Sequence, residues 1–383
     1  MRQSARQLLP WWALSRLLLL VVAVAVMTER HRSPHDILSG WDVAHFEGIA
    51  TAGYANPIDR AFFPGLPLLL RAAHTVGIPM GLAGVVIAGV CSFLAALALL
   101  RLGGQVARTP REARIVGPVA AVGWLMAPTT VFTSVAYTEA PFCAAAFWAW
   151  QRGTERKWGQ AAALAALACT FRVSGLFLIG GLGLMALLQR GAPVSRRLVE
   201  AATVALASLA LVAYVVYLHH LTGSWNAWFE AQQAGWNRGF NSPLDALRHT
   251  LDAGNPAKWP GRPDVAKVFH AEVFSMFVGC VATLLLLWRR RWAEAAYIGV
   301  QVFAFATSYW FMSVNRAVLL WFSIWLLVGE LAAWAWGWRR SRSDEGLPVQ
   351  RALGKLFVVA FAVVSTLVML WWAWQYYAGG WAS

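Results

Sequence analysis

Charged side chains are scarce in this sequence, and their scarcity excludes a soluble protein. Asp, Glu, Lys and Arg together make up 13% of the 383 residues, whereas hydrophobic residues make up 59%. A soluble domain carries about 25% charged residues. Apolar runs of about 20 residues, the length that crosses a bilayer, recur along the chain, and 23 Trp are available to lie at the interfaces. The composition therefore predicts an integral membrane protein.

The sequence also lacks the spacings that indicate a disulfide framework, a zinc site or a nucleic-acid partner. Its four cysteines fall inside apolar runs, with no CxxC and no Cys/His spacing. The formal net charge is +14, but Lys and Arg form short clusters between apolar runs rather than one basic domain. We therefore expect no nucleic-acid partner. No metal ligand or cofactor is identified, although the sequence leaves a divalent metal possible.

Eleven apolar segments predict the transmembrane helices of an all-α polytopic protein. Most Lys and Arg lie in the N-terminal segment and in the alternate segments between spans that share its side, which the positive-inside rule assigns to the cytoplasm. The stretch 158–189 is divided at Arg172, because a single helix there would be about ten residues longer than a span needs and would move Arg289 to Arg291 outside. The predicted spans are 8–27, 78–101, 115–130, 134–151, 158–171, 174–189, 199–220, 269–288, 293–313, 317–338 and 353–377.

Two long segments, 28–77 and 221–268, lie on the outer side and are expected to form the catalytic face of a single domain, residues 1–383. The first contains an apolar stretch, 62–70, that is interrupted by prolines and too short to cross, so it predicts an interfacial helix. The start of the chain, up to Ala23-Val24-Ala25, also fits a signal peptide. Its removal would leave ten spans and the same outer face.

A second interfacial helix is predicted around Asp42, in the same outer segment. Trp41, Ala44, Phe46 and Ile49 recur at near-helical spacing, which is typical of an amphipathic helix on the membrane surface. Asp42 would stand at the start of this helix. A carboxylate there either caps the helix or faces a substrate, and the pattern alone leaves both open.

Four further ionisable residues lie within or beside the apolar layer, where a charge is costly and indicates function. Glu139, Arg172 and Arg316 come from three separate segments, and the predicted topology brings all three to the outer depth of Asp42. Guanidinium groups at that depth suit a phosphate, although Arg172 and Glu139 could instead form an internal bridge. Glu294 lies on the inner side beside Arg291, where we expect a plain ion pair.

Six short segments follow one another in an order that carries further information. They are Trp41-Asp42, Gly53-Tyr54, Ala61-Phe62-Phe63-Pro64, Ala136-Tyr137-Thr138-Glu139-Ala140-Pro141-Phe142, Phe171-Arg172-Val173-Ser174-Gly175 and Gln232-Gln233-Ala234-Gly235-Trp236-Asn237-Arg238-Gly239-Phe240. Over most of the chain, this order resembles the glycosylphosphatidylinositol mannosyltransferase II (PIG-V) family of the GT-C glycosyltransferases. The resemblance implies a GT-C-like fold and an enzyme that moves mannose, or another hexose, from a polyprenyl-phosphate carrier at the outer or lumenal face.

The same resemblance implies roles for individual residues. It makes Asp42 the essential acid, acting on the acceptor hydroxyl with inversion at the anomeric carbon, and physical chemistry agrees that such a donor needs a base and a cationic clamp. Arg172 and Arg316 are expected to supply the clamp. Aromatic residues of the second outer segment suit a sugar, or form an interfacial belt. The other expected substrate contacts are Trp41, His45, Glu47, Tyr137, Glu139, Gln232, Trp236 and Asn237.

The expected partners are a lipid-linked sugar donor, membrane lipids and a glycolipid or glycan acceptor. A chain rich in Arg, Ala and Trp and poor in Lys is typical of a GC-rich bacterium, so we expect a bacterial plasma membrane with the active face extracytoplasmic. A transporter is the main alternative, since transporters carry ionisable groups near the midplane and often two related halves. A non-catalytic subunit of a transferase complex is another. Charges at one outer depth and no duplicated pattern favour the transferase.

Overall fold

The regular structure is helical throughout the part of the chain that the computed structural model describes, residues 2–336 and 348–382. This confirms the predicted all-α class. The helices are α1 Arg2–Arg30, α2 Pro34–Leu38, α3 Asp42–Ala52, α4 Gly65–Thr75, α5 Met80–Val106, α6 Pro110–Leu125, α7 Glu139–Thr154, α8 Trp158–Cys169, α9 Gly175–Leu187, α10 Val194–Ala205, α11 Leu209–Thr222, α12 Ala227–Trp236, α13 Pro243–Ala253, α14 Pro263–Trp288, α15 Trp292–Ala306, α16 Val314–Ala317, α17 Phe322–Ala335 and α18 Pro348–Tyr377. Short 3-10 turns lie at Pro57–Ala61, Thr130–Thr133, Leu206–Ser208, Pro256–Lys258 and Val318–Leu320.

Five helical stretches are long and apolar enough to cross a membrane, which fits a polytopic membrane protein. They are Ala5–Arg30, Met80–Val106, Val194–Thr222, Pro263–Trp288 and Pro348–Tyr377. A sixth candidate, Val314–Leu320 together with Phe322–Ala335, is bent by 67°. The eleven-helix count and the cytoplasmic N-terminus stay predictions.

Five of the predicted spans correspond to helices shorter than a full crossing. Helices α6, α7, α8, α9 and α15 have 12 to 16 residues, or about 18–24 Å, against a hydrocarbon layer of about 30 Å. The predicted spans are two to six residues longer than α7, α8, α9 and α15, because the apolar run continues beyond the helix ends into non-helical segments. Helix α6 has the predicted length but begins five residues earlier. The end of the predicted span 317–338 and the basic residues Arg339, Arg340 and Arg342 lie outside the described residues.

The largest of these non-helical segments, residues 126–138, is almost entirely buried between helices. Irregular backbone at membrane depth is tolerated where protein groups satisfy its polar atoms. Here Arg16 on α1 donates from Nη1 to the Thr133 carbonyl at 2.7 Å, and the Thr129 hydroxyl donates to the Asn315 carbonyl at 3.0 Å. The segment thereby fixes the point at which α7 begins.

Close helix packing holds this interior together. A Cβ at Gly103 on α5 would lie only 2.3 Å from the Cα of Gly117 on α6, so the two helices touch through their backbones. Four tryptophans are buried in the core. They are Trp124, Trp150, Trp321 and Trp325, all at most 2% exposed.

The first predicted outer segment, residues 28–77, forms the two short helices that its sequence predicts, α3 and α4, and a third, α2, that was not predicted. Helix α3 begins at Asp42, but its buried face is Val43, Phe46, Ile49 and Ala50, whereas Trp41 precedes the helix and Ala44 is exposed. The buried face therefore shares Phe46 and Ile49 with the predicted apolar stripe, whereas Val43 and Ala50 take the places of Trp41 and Ala44. The apolar stretch 62–70 gives rise to α4.

Helix α4 starts against the turn between α8 and α9, residues 170–174, where the sequence predicted a break at Arg172. The Gly65 N–H donates to the Thr170 carbonyl at 2.8 Å. A Cβ at Gly65 would lie 2.7 Å from that oxygen, so only glycine allows this approach. The contact brings the first outer segment next to Arg172.

Candidate functional site

A cavity of about 490 Å³ lies between α3, α9, α12, α15 and the start of α16. Much of its wall is aromatic, including Phe62, Phe177, Trp236 and Phe305. Within the described chain, its charged lining groups are one carboxylate and three guanidinium groups. We call the latter the arginine cluster, which consists of Arg172, Arg238 and Arg316.

Asp42 faces this cavity from the first residue of α3. Its Oδ2 accepts a hydrogen bond from Arg316 Nη1 at 2.8 Å, and its side chain keeps 20% of its surface exposed. No backbone N–H in the described chain donates to this carboxylate, so it does not cap the helix. The preceding Trp41 adopts φ +58°, a strained conformation for a bulky residue that fixes how Asp42 enters the helix.

Tyr137 supports the pair formed by Asp42 and Arg316. Its hydroxyl oxygen accepts the Asp42 backbone N–H at 3.3 Å, and its ring lies 5.3 Å from the Arg316 guanidinium carbon. The Phe132 ring lies 5.2 Å from the same carbon. Such contacts favour a cation held over aromatic faces. Tyr137 is buried and contacts the charged groups without lining the cavity, and its predicted substrate contact stays a prediction.

Glu139 contacts two members of the arginine cluster, Arg172 and Arg316. Its Oε1 lies 2.7 Å from Arg172 Nη1 and 3.6 Å from Arg316 Nη1, and the residue is fully buried. Arg172 also donates to the Thr138 hydroxyl at 2.9 Å. The internal bridge that the sequence left open is thus present. Glu139 has no exposed surface in this structure, and its predicted substrate contact stays a prediction.

Arg238 is the member of the cluster without an ion pair. Its one side-chain hydrogen bond goes from Nη2 to the Met312 carbonyl at 3.3 Å, and no carboxylate of the described chain pairs with it. Burial, together with Arg316 and Arg172, lowers its pKa to about 10, and Glu272 and Asp42 offset this only in part. A cation destabilised in this way binds an anion favourably.

Helix α12 closes the opposite wall with two of the predicted residues. Gln232 Nε2 donates to the Ala61 carbonyl at 3.2 Å, and the Trp236 ring stands edge-on to Phe62 at 5.3 Å. Asn237 ends α12 with φ +51° and is exposed beside the cavity rather than in its wall. Its binding role stays a prediction.

Three further predicted residues, Trp41, His45 and Glu47, are not part of the cavity wall. His45 stacks on Phe62 at 5.0 Å and forms a 2.7 Å contact from Nδ1 to Asp59 Oδ1. Glu47 accepts a hydrogen bond from Ser39 at 3.0 Å, and Trp41 is 40% exposed. None of these three predicted residues lines the cavity, so their substrate contacts remain predictions.

Sequence reasoning missed two residues, Arg238 and Asp59. Arg238 stands in the last of the six segments, close behind the amide and aromatic residues Gln232 and Trp236, but no role was predicted for it. Nothing in the sequence around Asp59 marked it as buried, yet it is only 5% exposed. No group of three or more His, Cys, Asp or Glu that could hold a metal ion is present among residues 2–336 and 348–382.

Comparisons with known proteins support the resemblance found in the sequence. The family model described as Mannosyltransferase (PIG-V) matches residues 12–217, just over half of the chain. The GPI alpha-1,6-mannosyltransferase 2 of Rattus norvegicus is 36% identical over 154 residues, and that of Homo sapiens is 32% identical over 153. Each match covers 37% of this chain and 30% of the relative. Gln232, Trp236, Arg238 and Arg316 lie beyond the region that the family model matches.

Proposed function

Because the chain belongs to the mannosyltransferase (PIG-V) family, we propose that it is a membrane glycosyltransferase that moves mannose, or another hexose, from a polyprenyl-phosphate carrier to an acceptor. The relatives are named for an alpha-1,6-mannosyl transfer. We infer the same sugar class and the same reaction type for the present chain. Its acceptor is a glycolipid or another glycan.

The observation that carries this proposal is the meeting of Asp42 and the arginine cluster on one cavity. A sugar linked through phosphate already has a leaving group, so the protein has to remove one proton and stabilise phosphate charge. Guanidinium groups match phosphate oxygens in both charge and geometry. Arg238, which lacks an ion pair, is the natural first contact for the donor phosphate.

Asp42 acts as the general base in this mechanism. Arg316 Nη1 lies between Asp42 at 2.8 Å and Glu139 at 3.6 Å, so an incoming phosphate can draw Arg316 off Asp42 while Glu139 still holds it nearby. The freed carboxylate accepts the acceptor's O–H proton. The acceptor oxygen bonds to the anomeric carbon from the side opposite the phosphate, the bond to phosphate oxygen breaks, and the configuration inverts.

The aromatic wall suits the sugar and the lipid. Phe62 and Trp236 offer ring faces and edges beside the charged groups, and Gln232 adds an amide. Phe177 on α9 and Phe305 on α15 continue the wall along helices that lie in the apolar part of the bundle. A prenyl chain can therefore stay in hydrocarbon while its phosphate reaches the arginine cluster.

The proposed location is a bacterial plasma membrane with the cavity on the extracytoplasmic face. Helix α7 runs from Glu139 beside the cavity to a cluster of Arg152, Glu155 and Lys157, which lies about 24 Å away at its far end. Basic residues of short loops favour the cytoplasmic side. The charge bias thus supports an outward-facing Asp42.

The test uses the full chain purified into lipid nanodiscs, with radiolabelled polyprenyl-phosphate mannose and a membrane lipid extract. We expect transfer by the wild type and by the control Asp36→Asn, whose side chain is solvated and bonded to Ser33. We expect at least about a 100-fold loss in Asp42→Asn. Equal transfer by Asp42→Asn would rule out this base.

The alternatives appear as other outcomes of the same assay. If no carrier sugar is transferred while a solute crosses the membrane, the protein is a transporter. If transfer occurs only after another polypeptide is added, and is insensitive to Asp42→Asn, the chain is an accessory subunit.

A further inference from the structure

We propose that His45 and Asp59 form a proton-accepting pair that takes the acceptor's proton onward from Asp42. This inference rests on the proposed transferase function and extends it to two residues outside the cavity wall. Asp42 forms an ion pair with Arg316 at 2.8 Å. A proton that Asp42 receives has to be passed on before this pair can form again for the next turnover.

The pair is held by a short contact at a buried carboxylate. Asp59 lies on the 3-10 turn Pro57–Ala61, is 5% exposed, and contacts His45 Nδ1 through Oδ1 at 2.7 Å. A carboxylate there makes Nδ1 the protonated nitrogen, which leaves Nε2 of the neutral ring free to accept a proton. No partner of Nε2 occurs in the described chain, and the His45 side chain keeps 31% of its surface exposed.

His45 stands close to the reacting groups without lining the cavity. It follows Asp42 by three residues on α3, which puts the two side chains on one helix face with Cβ atoms about 5–6 Å apart. One bridging water closes such a gap. Its ring stacks on Phe62 at 5.0 Å and 25° and lies 6.2 Å from Trp236, and both of these residues are cavity wall.

Several elements packed around His45 carry ionisable groups. They are Asp59 and Arg60 on the turn, Asp42 and Glu47 on its own helix, Arg71 and His74 on α4, and Glu230 on α12. Only Asp59 touches the ring. Its carboxylate can form an ion pair with the imidazolium that results when Nε2 accepts a proton.

The proton balance of the step is complete. The acceptor O–H bond breaks as its oxygen bonds to the anomeric carbon, and the phosphate leaves with the electron pair of the broken C–O bond. The proton moves to Asp42 and then to Nε2 of His45, which becomes an imidazolium paired with Asp59. Release to water through the exposed edge of His45 restores the starting state.

The experiment compares His45→Gln and Asp59→Asn with wild type in nanodiscs, measuring kcat and donor KM across pH. The control is His249→Gln, because His249 also stacks on an aromatic ring, Tyr309 at 4.0 Å, and bonds through Nδ1 to a carbonyl. We expect kcat to fall at least about tenfold in both test variants, with donor KM unchanged. His249→Gln should keep the wild-type profile.

The pH profile separates a proton acceptor from a merely structural residue. In wild type, kcat should fall at acid pH, because an imidazolium at His45 cannot accept a further proton. This acid limb should disappear in His45→Gln and change in Asp59→Asn, which lacks the carboxylate that pairs with the imidazolium. Asp59→Glu restores the carboxylate and should bring back the wild-type limb, which also guards against a folding defect in Asp59→Asn.

Three results would overturn the proposal or its basis. A wild-type kcat and pH profile in His45→Gln would remove the pair from the mechanism. A uniform loss at all pH values together with lower thermal stability would make the pair structural. Transfer by Asp42→Asn at the wild-type rate would instead refute the proposed function itself, whatever the two pair variants do.

Discussion

Two clusters of ionisable residues lie at the two ends of helix α15. They differ in whether every guanidinium group has a carboxylate partner. At the N-terminal end of α15, Arg289, Arg291, Glu294 and Glu330 form what we call the far-end network. Arg291 pairs with Glu294 at 2.5 Å and with Glu330 at 3.0 Å, and Arg289 pairs with Glu330. At the other end, about 22 Å away, the arginine cluster faces the cavity. There Arg238 has no ion pair in the described chain.

The difference separates a structural cluster from a binding site. Every guanidinium group of the far-end network meets a carboxylate, so the network needs no ligand to be stable. In the arginine cluster, Arg238 has no carboxylate partner in the described chain. Its partial burial therefore costs free energy, which a bound anion would offset. Removing charges from the first should change stability, and removing charges from the second should change activity.

The largest expected effect is on stability, from Glu330→Ala. Glu330 is 5% exposed and pairs with both Arg289 and Arg291. Removal of one partner from a buried ion pair costs about 3–5 kcal/mol because the remaining charges are left without compensation. We expect this loss in the unfolding free energy, measured by equilibrium denaturation in detergent, with kcat close to wild type in protein that remains folded.

The control for this variant is Glu155→Ala. Glu155 also pairs with two cations, Arg152 at 2.8 Å and Lys157 at 2.7 Å, but its side chain is 28% exposed. We expect a loss of about 0–1 kcal/mol. An equal loss in both variants would contradict the structural role of burial in the far-end network.

The next effect in size is on donor binding, from Arg238→Ala. A hydrogen bond to a charged group contributes about 1.5–3 kcal/mol, which corresponds to about a 10- to 100-fold rise in donor KM. The unfolding free energy should stay level or increase, because a cation without an ion pair is removed. Kinetics and denaturation on the same preparations check both parts.

Arg248→Ala is the matched control for Arg238→Ala. Arg248 lies in the same outer segment and forms a 3.3 Å pair with Asp245, with 67% of its side chain exposed. Its donor KM should equal that of wild type. A normal donor KM in Arg238→Ala, or a rise of the same size in both variants, would contradict the anion site.

The smallest expected effect is the pH dependence of donor binding. The pKa of Arg238 is lowered to about 10, so the side chain is charged below that pH and loses its charge as pH rises through it. Donor affinity should be level near neutral pH and fall by up to about tenfold per pH unit above pH 10. Titration of donor binding in nanodiscs checks this. An identical decline in Arg238→Ala would assign the effect to another group.

Local features of the fold and the site were predictable from the sequence. Asp42 stands at the start of a helix, the chain breaks at Arg172, and Glu294 pairs with Arg291, because each follows from spacing and charge within one segment. The charge bias and the topology predicted from it also placed Glu139, Arg172 and Arg316 at one depth in the membrane. Their ion pairs in the structure agree with that expectation.

Features that depend on distant parts of the chain were not predictable. Asp42 and Arg316 are 274 residues apart, and no local pattern links them. Hydropathy assigns most of the buried segment 126–138, which is not α-helical, to the predicted spans 115–130 and 134–151 because its side chains are apolar. The local sequence does not show that Asp59 is buried, because its burial results from the packing of its turn against α12. These outcomes follow from tertiary packing, which a single segment does not encode.

The most direct test of the account measures donor binding and sugar transfer on the same Asp42→Asn protein. Removal of one negative charge beside the arginine cluster should leave polyprenyl-phosphate mannose bound at least as tightly as in wild type, while transfer falls at least about 100-fold. That result would identify Asp42 as a group that acts on the proton and not on the phosphate. Transfer at the wild-type rate, or donor binding lost together with transfer, would contradict it.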